Sequence, residues 1–167
     1  MEMQMLFRHM ETSGKPFVAA INGHALGGGF EICLACHYRV AIDNDKIQIG
    51  QPEAKVGLIP GAGGTQRVPR LAGVNQEMMG FLLAGTPLTP KKALSAGLIN
   101  EVVSENDLID AAKKYILDGG KAVQPWDEKG YKFPGGLPYT PKGMMIWAAA
   151  SSSCLLYTSD AADDLRG

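Results

Sequence analysis

Short apolar runs alternate with glycine-rich turns and helical patterns along most of the chain. Residues 16–21 are apolar with a β-branched bias and end at a glycine-containing turn, which predicts a buried strand. From Phe30 onward, the spacing of the apolar residues fits a compact buried helix better than the strict alternation of a strand. Residues 27–29, three consecutive glycines, therefore lie at the N-terminus of that helix.

Residues 38–42 and 46–49 predict two more strands. The acidic and polar residues between them predict a turn, so a hairpin-like excursion is expected. Helices are predicted at 75–84 and 108–117, and the loop 86–90 ends in a proline that can begin another helix. Because short strands and helices alternate, the chain is predicted to have an α/β architecture.

The length and composition are those of one ordinary globular domain. The chain has 167 residues, of which 46% are hydrophobic and 20% charged. The net charge of −1 argues against nucleic acid or an anionic membrane as a partner. No run is long enough for a membrane-spanning helix, and the N-terminus is unlike a secretory signal. We expect a location in the bacterial cytoplasm or the mitochondrial matrix.

The glycine run 27–29 favours a site for a carbonyl oxygen that gains negative charge. Backbone N–H groups at a helix N-terminus lack partners and carry partial positive charge, and glycine lets a ligand approach them. A flexible turn that only connects strand to helix is the alternative. Two phosphate motifs are excluded, because a Walker loop needs Lys at Gly29 and a dinucleotide fingerprint needs glycine at Gln66.

Two carboxylates accompany the glycine run. Glu31 follows it at once, and Glu53 stands on a loop after a proline. Addition of water needs one group to take a proton from water and another to deliver a proton to carbon, and paired carboxylates can divide these roles. The alternatives are a first-turn acid favoured by the helix dipole for Glu31 and a solvated loop residue for Glu53.

The cysteines and histidines near the glycine run carry weaker signals. Cys33 and Cys36 form a C-x-x-C pattern inside an apolar helix without a second cysteine pair, which favours core residues over a metal or redox site. His24 could touch a ligand, whereas His37 is expected to be solvated or to cap the helix end. No metal site is predicted.

Three motifs in order resemble the signature of the enoyl-CoA hydratase/isomerase (crotonase) family. They are AAINGHALGGGFE at 19–31, GQPE at 50–53 and VGLIPGAGGTQR at 56–67. The resemblance extends over residues 5–103 and includes ALSAGLINEVV at its end. It implies a crotonase-like spiral of ββα units, of which this chain holds the C-terminal part of the domain only.

The resemblance also implies roles for individual residues. The Gly28 N–H would bind the thioester oxygen of an acyl-CoA substrate, Glu31 would activate water, and Glu53 would protonate the α carbon. Hydration would then require neither a metal nor a redox cofactor. The glycine turn 61–64 is interpreted as structural, opening the next helix and packing behind the site. Further residues that could border the ligand are His24, Gly27, Gly29, Pro60 and Gly61.

A closer resemblance links residues 34–40 and 124–136 to multifunctional fatty-acid oxidation proteins. In these proteins a hydratase domain precedes an NAD-dependent 3-hydroxyacyl-CoA dehydrogenase, so NAD is implied only for that further domain. We therefore expect a partial hydratase domain at 1–118 and a loop-rich segment or linker toward the dehydrogenase domain at 119–150. A homo-oligomer or a thiolase partner is also compatible with this resemblance.

This chain departs from the family pattern at the N-terminal side. The family's second oxyanion donor and much of its CoA-binding surface lie in an N-terminal half that would precede Met1. We therefore expect little hydratase activity from this polypeptide alone, because losing one oxyanion donor costs about 10²–10³ in rate. An isomerase of the same fold and a catalytically silent fragment that binds acyl-CoA or partner subunits remain alternatives.

The last residues differ in character from the rest. Residues 151–167 are expected to be a non-native tail, because 154–164 look like a translated sequencing-library adapter. A natural polar tail is the alternative.

Overall fold

Parallel strand pairing organises the chain. The computed structural model describes residues 2–137, 139–141, 143–146 and 148–149, and within them five strands form two parallel sheets. The strands are β1 (Val18–Ile21), β2 (Ala25–Leu26), β3 (Tyr38–Ile42), β4 (Ile49–Gly50) and β5 (Glu101–Val103). The helices are α1 (Glu2–Thr12), α2 (Gly28–Ala35), α3 (Gly64–Ala72), α4 (Gln76–Leu82), α5 (Pro90–Ser95) and α6 (Leu108–Leu117). Short 3-10 helices span Pro52–Val56, Glu105–Asp107 and Pro125–Asp127.

The larger sheet has the strand order β1-β3-β5. Val18 lies opposite Tyr38, and Val40 lies opposite Glu101. Parallel neighbours need a crossover rather than a tight turn, and the β2–α2 segment supplies it between β1 and β3. The crossover brings the start of α2, with its glycine run, next to the second sheet, in which β2 pairs with β4.

The predicted hairpin is wrong. Of the second predicted strand, β4 retains Ile49 and pairs in parallel with β2 instead of turning back on β3. Ile49 also exchanges both backbone hydrogen bonds with Leu88, at 2.9 and 2.8 Å. The alternation of apolar and polar residues at 46–49 correctly predicts which side chains face the core, since Ile47 and Ile49 are both buried. Periodicity identifies which side chains are buried, but it does not identify the strand that accepts the backbone hydrogen bonds.

The core forms where α2 packs between the sheets and helices α3 and α4. Phe30 and Leu34 of α2 are fully buried, and the Phe30 ring meets Phe81 of α4 edge to face, with centroids 6.1 Å apart. Burial of each such side chain contributes about 1.5–3 kcal/mol. The predicted helices at 75–84 and 108–117 are confirmed as α4 and α6, and the predicted proline start is confirmed at Pro90 of α5.

His37 is a structural residue, so the expectation that it is solvated or caps α2 is wrong. The ring is buried, and its Nδ1 accepts a hydrogen bond from the Phe17 N–H at 3.0 Å. Nε2 must therefore carry the ring proton, and it lies 3.1 Å from the Glu11 carbonyl oxygen, to which it donates. The neutral imidazole ties α1 to the segment that leads into β1.

The chain beyond α6 packs against the domain. The side chain of Gln124 is fully buried and donates to the carbonyl oxygens of Ala35 and Cys36 at the end of α2. The Tyr131 hydroxyl donates to the Arg70 carbonyl oxygen at 2.7 Å. The expected non-native tail, residues 151–167, lies outside the described residues. Within the described part of the chain, no helix has both the length and the apolarity needed to cross a bilayer.

Candidate active site

The glycine run meets α2 at the ends of the two short parallel strands. Gly27 follows β2 with a φ of 56° and donates its N–H to the Gly50 carbonyl oxygen at the end of β4, at 2.9 Å. The Gly27 carbonyl oxygen accepts from Phe30 and Glu31, which closes the first turn of α2. Gly28 and Gly29 come before the first residue that can donate within the helix, and both are exposed. Their N–H groups are therefore available to a ligand.

Glu31 is held by the second glycine-rich turn. The carboxylate is buried, and its Oε1 accepts hydrogen bonds from the Ala62 N–H at 2.8 Å and the Gly64 N–H at 2.7 Å. Gly64 is the first residue of α3, so a helix N-terminus points at the carboxylate. Both bonds end on Oε1, which leaves Oε2 for a further partner.

Glu53 reaches the same place from the 3-10 helix Pro52–Val56. A Cβ atom added at Gly27 would lie 3.1 Å from Glu53 Oε1, so the carboxylate packs directly against the glycine run. Gln51 is fully buried beside it, and with its amide nitrogen turned toward Glu53 it donates to both carboxylate oxygens at 3.1 Å. Gln51 also contacts Gly64, where an added Cβ would come within 2.8 Å of its amide. Glu31 and Glu53 are thus connected through Gly64 and Gln51.

The two carboxylates have different surroundings. Partial burial raises the pKa of Glu53 above its ordinary value, and the nearby charge of Glu31 adds to this effect. Glu31 is instead fixed by two backbone N–H groups. A carboxyl group with a raised pKa next to a carboxyl group that accepts backbone hydrogen bonds is an arrangement suited to acid and base chemistry.

The cysteines border a groove beside the glycine run. The groove, a cavity of about 330 Å³, runs from Gly23 and His24 past Gly29 to Cys33 and Cys36. Burial raises the pKa of the Cys33 thiol to about 11, and its Sγ donates to the Gly29 carbonyl oxygen at 3.2 Å. Cys33 is therefore a protonated thiol at neutral pH and a poor nucleophile. His24 accepts a hydrogen bond from the Gln48 N–H on Nδ1 at 3.1 Å, which leaves its Nε2 unengaged by this contact.

The remaining predicted residues lie on the loop that leads to α3. Pro60 is buried and Gly61 is exposed, directly before the two residues whose N–H groups bind Glu31. The sequence favoured a packing role for the turn 61–64 over ligand contact at Gly61, and it did not identify Ala62 and Gly64 as donors or Gln51 as a site residue. A signal was present, since a glycine run that opens a helix is the same feature that marked residues 27–29. Among the described residues, no group of three or more His, Cys, Asp or Glu side chains could hold a metal ion.

A family model described as enoyl-CoA hydratase/isomerase matches residues 1–118 of this chain. The chain belongs to the enoyl-CoA hydratase/isomerase family. The α/β, crotonase-like fold expected from the sequence is confirmed by solved members. The enoyl-CoA hydratase from Bacillus anthracis superposes with a TM-score of 0.65 at 36% identity, over 70% of this chain and 44% of that one. Enoyl-CoA hydratase subunit I from Geobacillus kaustophilus superposes with a TM-score of 0.61 at 35% identity, over 69% of this chain and 44% of that one.

Curated relatives carry the name fatty acid oxidation complex subunit alpha. The protein from Idiomarina loihiensis is 50% identical over 114 residues, which are 68% of this chain and 16% of that protein. The protein from Shewanella frigidimarina is 45% identical over 121 residues, which are 72% of this chain and 17% of that protein. The chain therefore spans about one sixth of the length of these relatives.

Proposed function

We propose that this chain carries the acid/base half of an enoyl-CoA hydratase centre, which adds water reversibly and in syn geometry to trans-2-enoyl-CoA to give 3-hydroxyacyl-CoA in fatty-acid β-oxidation. The observation that supports the proposal is the convergence of Glu31, Glu53 and the N–H groups of Gly28 and Gly29 at one end of β2 and β4. Membership of the hydratase/isomerase family adds the substrate class.

In the proposed reaction, Glu31 acts on water. Its Oε1 is occupied by two N–H groups, so Oε2 would take the proton. The oxygen of water bonds to the β carbon as the electron pair of the double bond moves into the thioester. The Gly28 N–H would donate to the thioester oxygen, which then carries enolate charge, and such donors favour the transition state over the ground state.

The second proton transfer is assigned to Glu53. A proton donor must be protonated before the reaction, and the raised pKa of Glu53 favours that form. Glu53 would deliver its proton to the α carbon, which leaves Glu31 protonated and Glu53 ionised until the proton returns. Addition of water is neither an oxidation nor a reduction, so the proposed reaction needs no redox cofactor.

The rest of the proposed centre comes from residues outside this chain. By family resemblance these residues supply a second oxyanion donor and most CoA contacts, so we propose that the chain alone is poorly active, by about 10²–10³ in rate. The relatives named fatty acid oxidation complex subunit alpha support the proposal that the parent polypeptide acts in fatty-acid oxidation. By the family resemblance we further propose an NAD-dependent dehydrogenase domain in the same polypeptide, a homo-oligomer or thiolase partner, and a bacterial cytoplasmic location. Reading the complete reading frame of the parent gene tests the domain arrangement.

Activity can be tested in a chimera. The chain is joined to the residues of the Idiomarina loihiensis relative that precede its matched segment, and hydration of crotonyl-CoA is followed by loss of the enoyl-thioester absorbance. Glu31→Gln and Glu53→Gln should each lower kcat by about 10²–10⁴-fold, and the exposed Glu105→Gln is the matched control.

Each result of this assay decides the proposal. Hydration by the Glu31→Gln chimera at the unsubstituted rate would contradict the assigned role. Isomerisation of a 3-enoyl-CoA, measured in parallel as a gain of the enoyl-thioester absorbance, that survives Glu31→Gln while hydration is absent from every chimera would favour the isomerase alternative. Binding of crotonyl-CoA with no turnover in any chimera would favour a silent binding fragment.

A further inference from the structure

A buried arginine lies behind the turn that holds Glu31. Arg67, on α3, donates from Nη1 to the Ala62 carbonyl oxygen at 3.0 Å and from Nε to Glu11 Oε1 at 2.6 Å. The side chains of Arg67 and Glu11 are 9% and 1% exposed, so the pair is shielded from solvent. The guanidinium also lies over the Phe7 ring, 5.9 Å from its centroid.

Through the Ala62 carbonyl oxygen, Arg67 holds the Ala62–Gly63 peptide, which lies between the two peptides that bind Glu31. The Ala62 N–H and the Gly64 N–H, which bind Glu31, belong to the peptides on either side of the one that carries the Ala62 carbonyl. Holding the middle peptide therefore restricts the orientation of both donors, because each is separated from it by only one pair of backbone dihedrals. The planar guanidinium can donate to this carbonyl oxygen and to the Glu11 carboxylate at the same time, because its N–H groups are held in a rigid planar arrangement.

Gly63 makes room for this arrangement. Its φ is 106°, and an added Cβ would overlap Arg67 Nη1. Glu11 is in turn anchored by a second cation, since Arg8 Nη1 lies 3.1 Å from Glu11 Oε2. The Arg8 guanidinium also donates from Nη1 and Nη2 to the two carboxylate oxygens of Asp127, each at 2.7 Å. The turn, the arginine and the carboxylate of α1 therefore form one connected network.

We propose that Arg67, fixed by Glu11, is a positioning residue for Glu31. The inference rests on the proposed function, in which Glu31 handles the proton of water. Arg67 holds the Ala62–Gly63 peptide, and this peptide sets the two N–H groups that orient the Glu31 carboxylate. A displacement of about 1 Å at a reacting group can lower the rate about 10²-fold. A turn that no longer holds the Glu31 carboxylate in place would therefore lower kcat.

Substitution of Arg67 alone leaves Glu11 with one cation fewer, which could lower stability for unrelated reasons. The test therefore compares Arg67→Met with the double variant Arg67→Met/Glu11→Gln, which also removes the buried charge. Arg67→Lys keeps the charge, but its single nitrogen cannot reproduce the fork. Arg70→Met, about one turn further along α3, is the matched control, because the hydrogen bonds that the Arg70 side chain donates among the described residues go to Gln66 and not to the turn or to Glu11.

Two readouts separate positioning from stability. In the chimera defined above, crotonyl-CoA hydration gives kcat and KM. In the chain itself, hydrogen exchange reports the Ala62 and Gly64 amides, and thermal unfolding reports Tm. We expect kcat to fall about 10²-fold in Arg67→Met and in the double variant, and about tenfold in Arg67→Lys, with KM within about twofold. Exchange at the two amides should accelerate about tenfold or more.

A double variant that recovers the unsubstituted kcat together with Tm would overturn the proposal, because Arg67 would then only neutralise Glu11. Unchanged exchange at Ala62 and Gly64 would overturn it as well. If Arg67→Met does not fold, kcat and amide exchange in Arg67→Lys and in the double variant still test the positioning role. Failure of the proposed function is seen separately as full hydration activity in Glu31→Gln, and the exchange readout then decides whether Arg67 holds the turn.

Discussion

The Gly64 N–H donates to Glu31 Oε1 at 2.7 Å, so the first residue of α3 orients a carboxylate in the first turn of α2. Gln51 packs against the same glycine and reaches Glu53. One backbone position therefore touches the surroundings of both carboxylates, and this makes Gly64 a sensitive point of the candidate site.

Gly64→Ala should impair activity more than stability. The N–H that binds Glu31 is retained, but the new methyl group would meet the Gln51 amide within 2.8 Å and push it away from Glu53. We expect kcat for crotonyl-CoA hydration in the chimera to fall about 10- to 100-fold. Gly80→Ala on α4 is the control, because open space surrounds it and alanine should stabilise the helix by about 0.5–1 kcal/mol. Equal kcat in both variants would contradict the coupling through Gln51.

Gly27→Ala should disturb Glu53. At a φ of 56° and a ψ of −132°, outside the left-handed α region, a Cβ atom costs about 1–3 kcal/mol, and here it would also press on Glu53 Oε1 from 3.1 Å. Gly57→Ala is a matched control, since Gly57 has a φ of 72° and no atom within 4 Å of the added Cβ. Urea unfolding should show a loss for both variants, larger for Gly27→Ala because Gly57, with a ψ of 22°, lies in the left-handed α region that alanine tolerates better, whereas kcat should fall strongly in Gly27→Ala alone. Comparable kcat losses would show that backbone strain is the cause.

The raised pKa of Glu53 predicts a pH dependence of stability. Since burial favours the protonated form in the folded state, the unfolded chain ionises first as pH rises. The stability that the protonated Glu53 contributes is present below the ordinary glutamate pKa of about 4.3 and is lost as pH rises through the higher folded value. Urea unfolding of the chain and of Glu53→Gln across this window should show the chain losing stability relative to the variant. The opposite slope would contradict the assigned shift.

Cys33 should react slowly with thiol reagents. With a pKa of about 11, its thiolate fraction at pH 8 is about 10²-fold below that of an ordinary cysteine. In a Cys36→Ser/Cys154→Ser background, which removes the smaller contribution of Cys36 to the raised pKa and keeps that of burial, alkylation by iodoacetamide should still be clearly slower in the folded chain than in urea. Since partial burial alone also slows alkylation, the rate should keep rising up to about pH 10. A plateau near pH 9 would contradict the raised pKa.

Several elements could be predicted from local sequence because local chemistry forms them. The Asn75 side chain accepts from the Met78 N–H at 2.9 Å and caps α4 at the first residue of the predicted helix 75–84. Pro90 begins α5, and the β-branched run 16–21 contains β1. Each signal and its effect lie within a few residues of each other, so a single sequence is enough.

The sequence by itself determined the family, the type of fold, and the two carboxylates next to a glycine-opened helix. Only the tertiary structure decided that β4 pairs with β2, that Gln51 packs against Gly64 and reaches Glu53, and that Arg67 and Glu11 support the turn behind Glu31. These contacts join residues far apart in the chain, such as Glu31 with Gly64 and Glu11 with Arg67. No local pattern encodes such a pairing, because it depends on how the parallel crossover places α2 against α3.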